Sequence, residues 1–264
     1  MKKSIMMKKI PCLLLGMLLL ALIPSVATAA DEGIGLEFEV LPWYTDLEFN
    51  SKLSTLTSDG SDLDHKSALK LGDETLINWR LTWRINPDHT LRFSYIGVDF
   101  EGNTIISKNL TLEGQSFAAG SRLVTDIDFS LLEFSWIWNF LSDKYISIGT
   151  LVEVKGLFMD TELFDPVSLV KQQDELTTAI PFFGIAVSSE PFKFINIFGE
   201  ASGIYVDQKN YGYAYDAEAG IKIIPLDYVT ISGGYRILRI NAEDVPDYLD
   251  FEIQGPFVSL GIRF

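Results

Sequence analysis

Cysteine is almost absent from this chain of 264 residues, and its one copy, Cys12, lies in an N-terminal stretch that reads as an export signal. Lys2, Lys3, Lys8 and Lys9 form a positive segment, Leu13 to Ile23 is almost wholly apolar, and Ala27-Thr28-Ala29 offers a small-residue cleavage site. The apolar run is shorter than the ~20 residues a spanning helix needs, which argues against a retained anchor. Ile10 and Pro11 stand where a lipidated cysteine requires small residues. Residues 1–30 are therefore expected to be removed as a secretory signal, leaving one domain over 31–264 without cysteine. Disulfides, thiol chemistry and thiolate metal sites are excluded with it.

Positive charge is scarce too. Lys and Arg number 21 against 36 Asp and Glu, a formal charge of −15 that falls to −19 once the four lysines of the signal are gone. Nucleic acid is disfavoured as a partner, because its binding depends on neutralising phosphates with Lys and Arg. Acidic loops suit divalent cations better. Long apolar runs are missing after residue 30, where no stretch reaches 18 residues, so no transmembrane helix is expected. Yet 47% of the chain is hydrophobic and 12% aromatic, so that content must come in short pieces.

Those pieces have strand period. In Val258-Ser-Leu-Gly-Ile-Arg-Phe264, Val258, Leu260, Ile262 and Phe264 project from one face and Ser259, Gly261 and Arg263 from the other. A strand with lipid outside and a polar lumen inside has this pattern. Punctuation by Pro, Asn, Asp and Ser divides the chain into about ten strands, near 34–43, 75–86, 90–101, 127–140, 145–158, 177–187, 194–205, 212–224, 228–240 and 250–264. Short turns are expected at Asn86–Thr90, Leu141–Lys144, Ser188–Pro191 and Pro225–Asp227. Longer polar stretches near 44–74, 102–126, 159–176, 206–211 and 241–249 alternate with them. The fold class is all-β: an antiparallel transmembrane β-barrel of about ten strands, with eight or twelve as alternatives because 50–71 and 104–125 contain further alternation.

The strand faces can be partly assigned. Ile77, Trp79, Leu81, Trp83 and Ile85 share one face, and Asn78, Arg80, Thr82 and Arg84 the other. Trp43, Tyr44, Trp138, Tyr145, Tyr211 and Phe264 lie near strand ends and fit two interfacial girdles. Apolar parity switches near Gly97, Leu131 and Gly255-Pro256, where bulges are expected. On this parity the lumen receives Glu37, Glu39, Glu133, Glu153, Glu200, Asp216, Glu218 and Glu252 against Arg80, Arg84, Arg92, Lys155, Lys222, Arg236 and Arg263. A ten-stranded barrel is narrow, whereas water-filled channels belong to barrels of ~16 strands or more. Near-equal numbers of acids and bases in such a space are expected to form an ion-paired plug. A narrow passive pore for ions or small solutes, filtered by the same charges, is the alternative.

Barrel enzymes such as proteases and lipid A-modifying hydrolases need a histidine near an acid or a serine at the outer rim. Only two histidines exist. His89 falls in a short turn, at the wrong end for such a site, and His65 follows Asp62-Leu-Asp64 in the first long loop. With Asp126-Ile-Asp128 these groups resemble the omptin proteases in residue type alone, so no catalytic residue is assigned. Asp62, Asp64 and Asp126 offer carboxylate oxygens to a divalent cation such as calcium, but no defined metal site or cofactor motif is present.

Ser61-Asp-Leu-Asp64, Trp79-Arg-Leu-Thr-Trp-Arg84 before a Pro-containing turn, Leu91-Arg-Phe-Ser-Tyr95 and the Gly255-Pro256 strand ending in Phe264 resemble a group of uncharacterised proteobacterial outer-membrane β-barrel proteins, porin-like small barrels. The resemblance implies residence in the outer membrane of a Gram-negative bacterium, among its lipid and lipopolysaccharide. Val258, Leu260, Ile262 and Phe264 resemble the signal read by the barrel-assembly machinery, which implies that machinery and periplasmic chaperones as transient partners.

Overall fold

The computed structural model describes residues 35–52, 63–64, 75–106, 109–112, 115–143, 145–207, 211–244 and 247–264. Every described element is a strand. Ten form the wall: β1 (Gly35–Tyr44), β4 (Thr75–Arg84), β5 (His89–Ile105), β8 (Arg122–Ser142), β9 (Ile146–Phe164), β10 (Lys171–Phe192), β11 (Ile195–Asp207), β12 (Tyr211–Leu226), β13 (Val229–Asp244) and β14 (Asp247–Arg263). Each pairs antiparallel with its neighbours in chain order, and β1 pairs with β14, so the sheet closes on itself. Closure leaves no edge in the wall. The short β2 (Asp46–Lys52) continues β1 beyond Thr45 in the same register against β14, and β3 (Leu63–Asp64) pairs with β2. β6 (Leu110–Leu112) and β7 (Gln115–Phe117) make a small hairpin above β5 and β8. The region 104–125 thus holds both strand extensions and a hairpin, without adding to the ten.

Alternation builds an apolar belt around the wall. On β8 the outward residues are Leu132, Phe134, Trp136, Trp138 and Phe140, and on β14 Pro256, Val258, Leu260 and Ile262, followed by Phe264 just past its end. Five alternating positions at ~3.3 Å per residue, tilted, match an apolar band about 25 Å tall. β8 and β10 run for 21 and 22 residues, far more than such a band requires. Most of the stretch expected as a loop at 159–176 is therefore strand, reversed by a turn in which the Asp165 carboxylate accepts from Val167 N at 2.8 Å and Ser168 N at 3.3 Å. Leu169 takes a positive φ of 59° there.

The bulges expected at Gly97, Leu131 and Gly255-Pro256 are absent. β5 and β8 pair without a shift from His89–Trp138 to Ile105–Arg122, and β13 and β14 from Val229–Ile262 to Asp244–Asp247. Parity switches because both environments change along a single strand. Ser259 points inward on β14 and Val258 outward; toward the long-loop end Phe251 and Ile253 point inward and Glu252 outward. The lumen turns from polar to apolar as the exterior turns from apolar to polar.

Register shifts occur instead at the short-turn end, between Asn139 and Leu141, Ser189 and Phe192, and Ile223 and Leu226. Pro191 and Pro225 sit in two of them, each directly before a reversal at Lys193-Phe194 or Asp227-Tyr228. The third short turn thus lies beyond Ser188–Pro191, because a proline without an N–H is tolerated at a bulge that ends a strand.

Candidate functional site

The lumen has three tiers. At the short-turn end it opens into a cavity of about 660 Å³ that Arg84, Lys222, Arg263, Glu37 and Glu39 help to line. Lys222 Nζ bridges Glu37 and Glu39 at 3.0 and 3.1 Å, and Arg263 Nε stands 3.6 Å from Glu37. Thr230 donates to Glu37 and Ser259 to Glu39. Arg84 makes no ion pair with a described carboxylate.

A charge network fills the middle tier. Arg80 grips Glu218 through two bonds of 3.0 and 2.7 Å, and Arg92 grips Glu200 at 2.6 and 2.7 Å. Lys155 Nζ lies 3.0 Å from Glu133, 3.2 Å from Glu153 and 2.8 Å from Asp216. Arg236 joins Asp216 and Glu133 at 2.6 and 2.5 Å. Remaining carboxylate lone pairs are taken by hydroxyls: Ser94 donates to Glu133, and Ser135 and Ser202 to Glu153. Five carboxylates and four cations from seven strands converge there, all nearly or wholly buried. Two-pronged Arg–carboxylate pairs fix geometry as well as charge, and desolvation makes the loss of any one partner costly.

Above the network the lumen is apolar. The Trp43 indole, fully buried, donates to Gly255 O at 3.0 Å, and the Arg236 guanidinium stacks 5.1 Å above its ring. Phe182 underlies Lys155 at 5.2 Å, and Phe129 and Phe251 meet at 5.4 Å. Leu41, Ile96, Leu131, Leu157, Leu238 and Ile253 complete the roof. A Cβ at position 255 would collide with the Tyr44 carbonyl, so glycine is required where the Trp43 strand crosses.

Of the residues read as lumenal, fourteen face inward and one does not. Glu252 lies on the outer face, where Arg239 holds it at 3.0 Å, because the strand has left the apolar belt by that height. Trp43 belongs to the roof and not to a girdle, whereas Tyr44, Trp138, Tyr145 and Phe264 are exposed; the Tyr211 side chain lies outside the described residues. The serines that complete the network were missed, since hydroxyls carry no charge pattern to flag them.

Beyond the belt the outer face carries acids in register. Asp99, Asp128, Asp160 and Glu175 align across β5, β8, β9 and β10, with Glu101, Asp126 and Glu162 in the next row. The hydrogen bond to Asp99, then desolvation and the charges of Asp99, Asp126 and Asp160, push the Asp128 carboxyl up to about 6. Desolvation, then Glu101 and its neighbours, raises Asp126 as well. Among the described residues no three acid, histidine or cysteine side chains converge as a metal site. Asp62 and His65 lie outside the described residues, as does the side chain of Asp64. His89, in its short turn, accepts from the Trp136 indole at 3.3 Å.

The chain matches no protein-family model and no curated protein sequence. Among solved structures it is similar to the outer membrane protease OmpT from Escherichia coli, with TM-score 0.54 and 8% identity over 89% of this chain and 99% of that one. It also aligns with the translocator domain of autotransporter NalP from Neisseria meningitidis, at TM-score 0.44 and 10% identity over 96% of each chain. The attachment invasion locus protein Ail of Yersinia pestis aligns at TM-score 0.38 and 12% identity, over 87% of this chain and 99% of that one. The fold is that of the outer-membrane β-barrels.

Proposed function

We propose that this chain is exported, cleaved after its signal and inserted into the outer membrane of a Gram-negative bacterium as a closed, structural barrel that passes no solute. The observation that carries this reading is the stacking of a buried charge network, in which every carboxylate is held by a cation, beneath an apolar roof of buried side chains. Each network carboxylate has a cation or hydroxyl partner inside the barrel, so the charges cross-link the wall and are not free to serve a passing ion. The exposed aromatic belt supports seating in lipid, and the outward Val258, Leu260, Ile262 and Phe264 support recognition by the barrel-assembly machinery and its chaperones.

Protease activity is not carried over from the OmpT likeness. Asp99, Asp126, Asp128 and Asp160 at the long-loop end stand on the outer face, away from the lumen, and His89 lies at the opposite end. Liposome swelling tests the reading: vesicles holding the refolded barrel should shrink and stay shrunken in arabinose or a dipeptide as protein-free vesicles do. Reswelling at a rate proportional to the barrel content would replace the closed barrel with a narrow pore.

A further inference from the structure

The cavity at the short-turn end is not explained by a structural role. It is blind, because the Arg80–Glu218 and Arg92–Glu200 pairs form its floor, and it is polarised. On one side Arg84 and Arg263 stand on β4 and β14, the two strands that flank β1. Gly35, the cross-strand partner of Arg84, places no side chain between them. Arg84 is exposed to the cavity and feels Arg263 as a like charge, opposed by Glu37 and Glu190. Glu37 and Glu39 are already engaged by Lys222, and Glu190 accepts from Asn196 at 3.3 Å. On the opposite side β8, β10 and β11 present Ile137, Ala186 and Phe198, with the partnerless hydroxyl of Ser147 on β9 beside them.

Two arginines on either side of β1, one without an ion-pair partner among the described residues, facing apolar side chains across a cavity of about 660 Å³, make a receptor for a molecule with one charged end. We propose that this cavity binds a small organic oxyanion, a carboxylate or phosphate monoester, whose charged group sits between Arg84 and Arg263 and whose body rests on Ile137, Ala186 and Phe198. Guanidinium forks suit both anions. The inference uses the closed-barrel reading only for the blind floor.

Calorimetric titration of the refolded protein in detergent micelles with hexanoate, glycerol 3-phosphate and inorganic phosphate tests it. Saturable binding of an organic anion, tighter than that of inorganic phosphate, is expected. Arg84→Gln should weaken it by about tenfold or more, the loss typical of a charged hydrogen-bonded contact, and Ala186→Trp, which fills the cavity from the opposite wall, should weaken it equally. Arg122→Gln, at the far end of the barrel, should leave it unchanged. No saturable binding, or binding that Arg84→Gln and Ala186→Trp both leave intact, would overturn the site. So would binding that emerges only in Asp31→Asn/Glu32→Gln, since the chain's own acids would then satisfy Arg84. Conductance accompanied by Arg84-dependent binding would refute the closed barrel and leave the site standing.

Discussion

The guanidinium of Arg236 lies over the indole of Trp43, 5.1 Å from the ring centroid, while its edge holds Asp216 and Glu133. That contact joins the charge network to the apolar roof. A cation–π contact of a desolvated arginine is worth up to ~2 kcal/mol, and the carboxylates beneath it are buried.

Removing this arginine leaves Glu133 and Asp216 short of a partner where water cannot replace it. Arg236→Ala should destabilise the folded barrel by about 3–5 kcal/mol. Arg239→Ala, which breaks the pairs with Asp250 and Glu252 on the outer face, should cost less than about 1 kcal/mol. Denaturant unfolding in lipid vesicles checks both, and equal losses would contradict the distinction between inner network and outer face.

Asn78 is fully buried between Leu41 and Ile96 in the ladder, and both atoms of its amide lack partners. An unpaired buried amide costs about 1–3 kcal/mol. Asn78→Leu, of nearly the same volume, should therefore raise stability in the same unfolding experiment.

Asp99 and Asp128 face each other across β5 and β8, and the hydrogen bond between them pushes Asp128 up to about 6. A carboxyl raised in the folded state favours folding when protonated. The contribution is complete below the ordinary value near 4 and is lost as pH rises through about 6. The long-loop end should thus be firmer at pH 5 than at pH 8. Asp128→Asn should abolish the difference and stabilise the barrel at pH 8 by at most about 1 kcal/mol, because the site is largely exposed. Melting curves at the two pH values, in both proteins, measure this.

The wall was legible in the sequence because lipid outside a polar lumen writes period two into each strand, as Val258 to Phe264 shows. The ten strands and the short turn at Asn86 followed from that pattern and from turn chemistry. Glu252 and Trp43 were misplaced for one reason: inside and outside were assigned as though the lipid-facing rule held along the full strand, whereas beyond the belt the apolar side chains turn inward. The pairing of Arg80 with Glu218, 138 residues apart, was beyond reach. Which charges meet depends on the shear of the closed barrel, and that is set by register across all ten strands at once.

The closed lumen is tested most directly by single-channel recording of the refolded mature protein in a planar bilayer, with circular dichroism showing that it is folded. The wild-type barrel should be silent, and Arg80→Ala, which strips Glu218 of its partner and opens the floor of the cavity, should be less stable and leak. Discrete wild-type steps whose ion selectivity shifts in Arg80→Ala would contradict the account and make the charge network a filter.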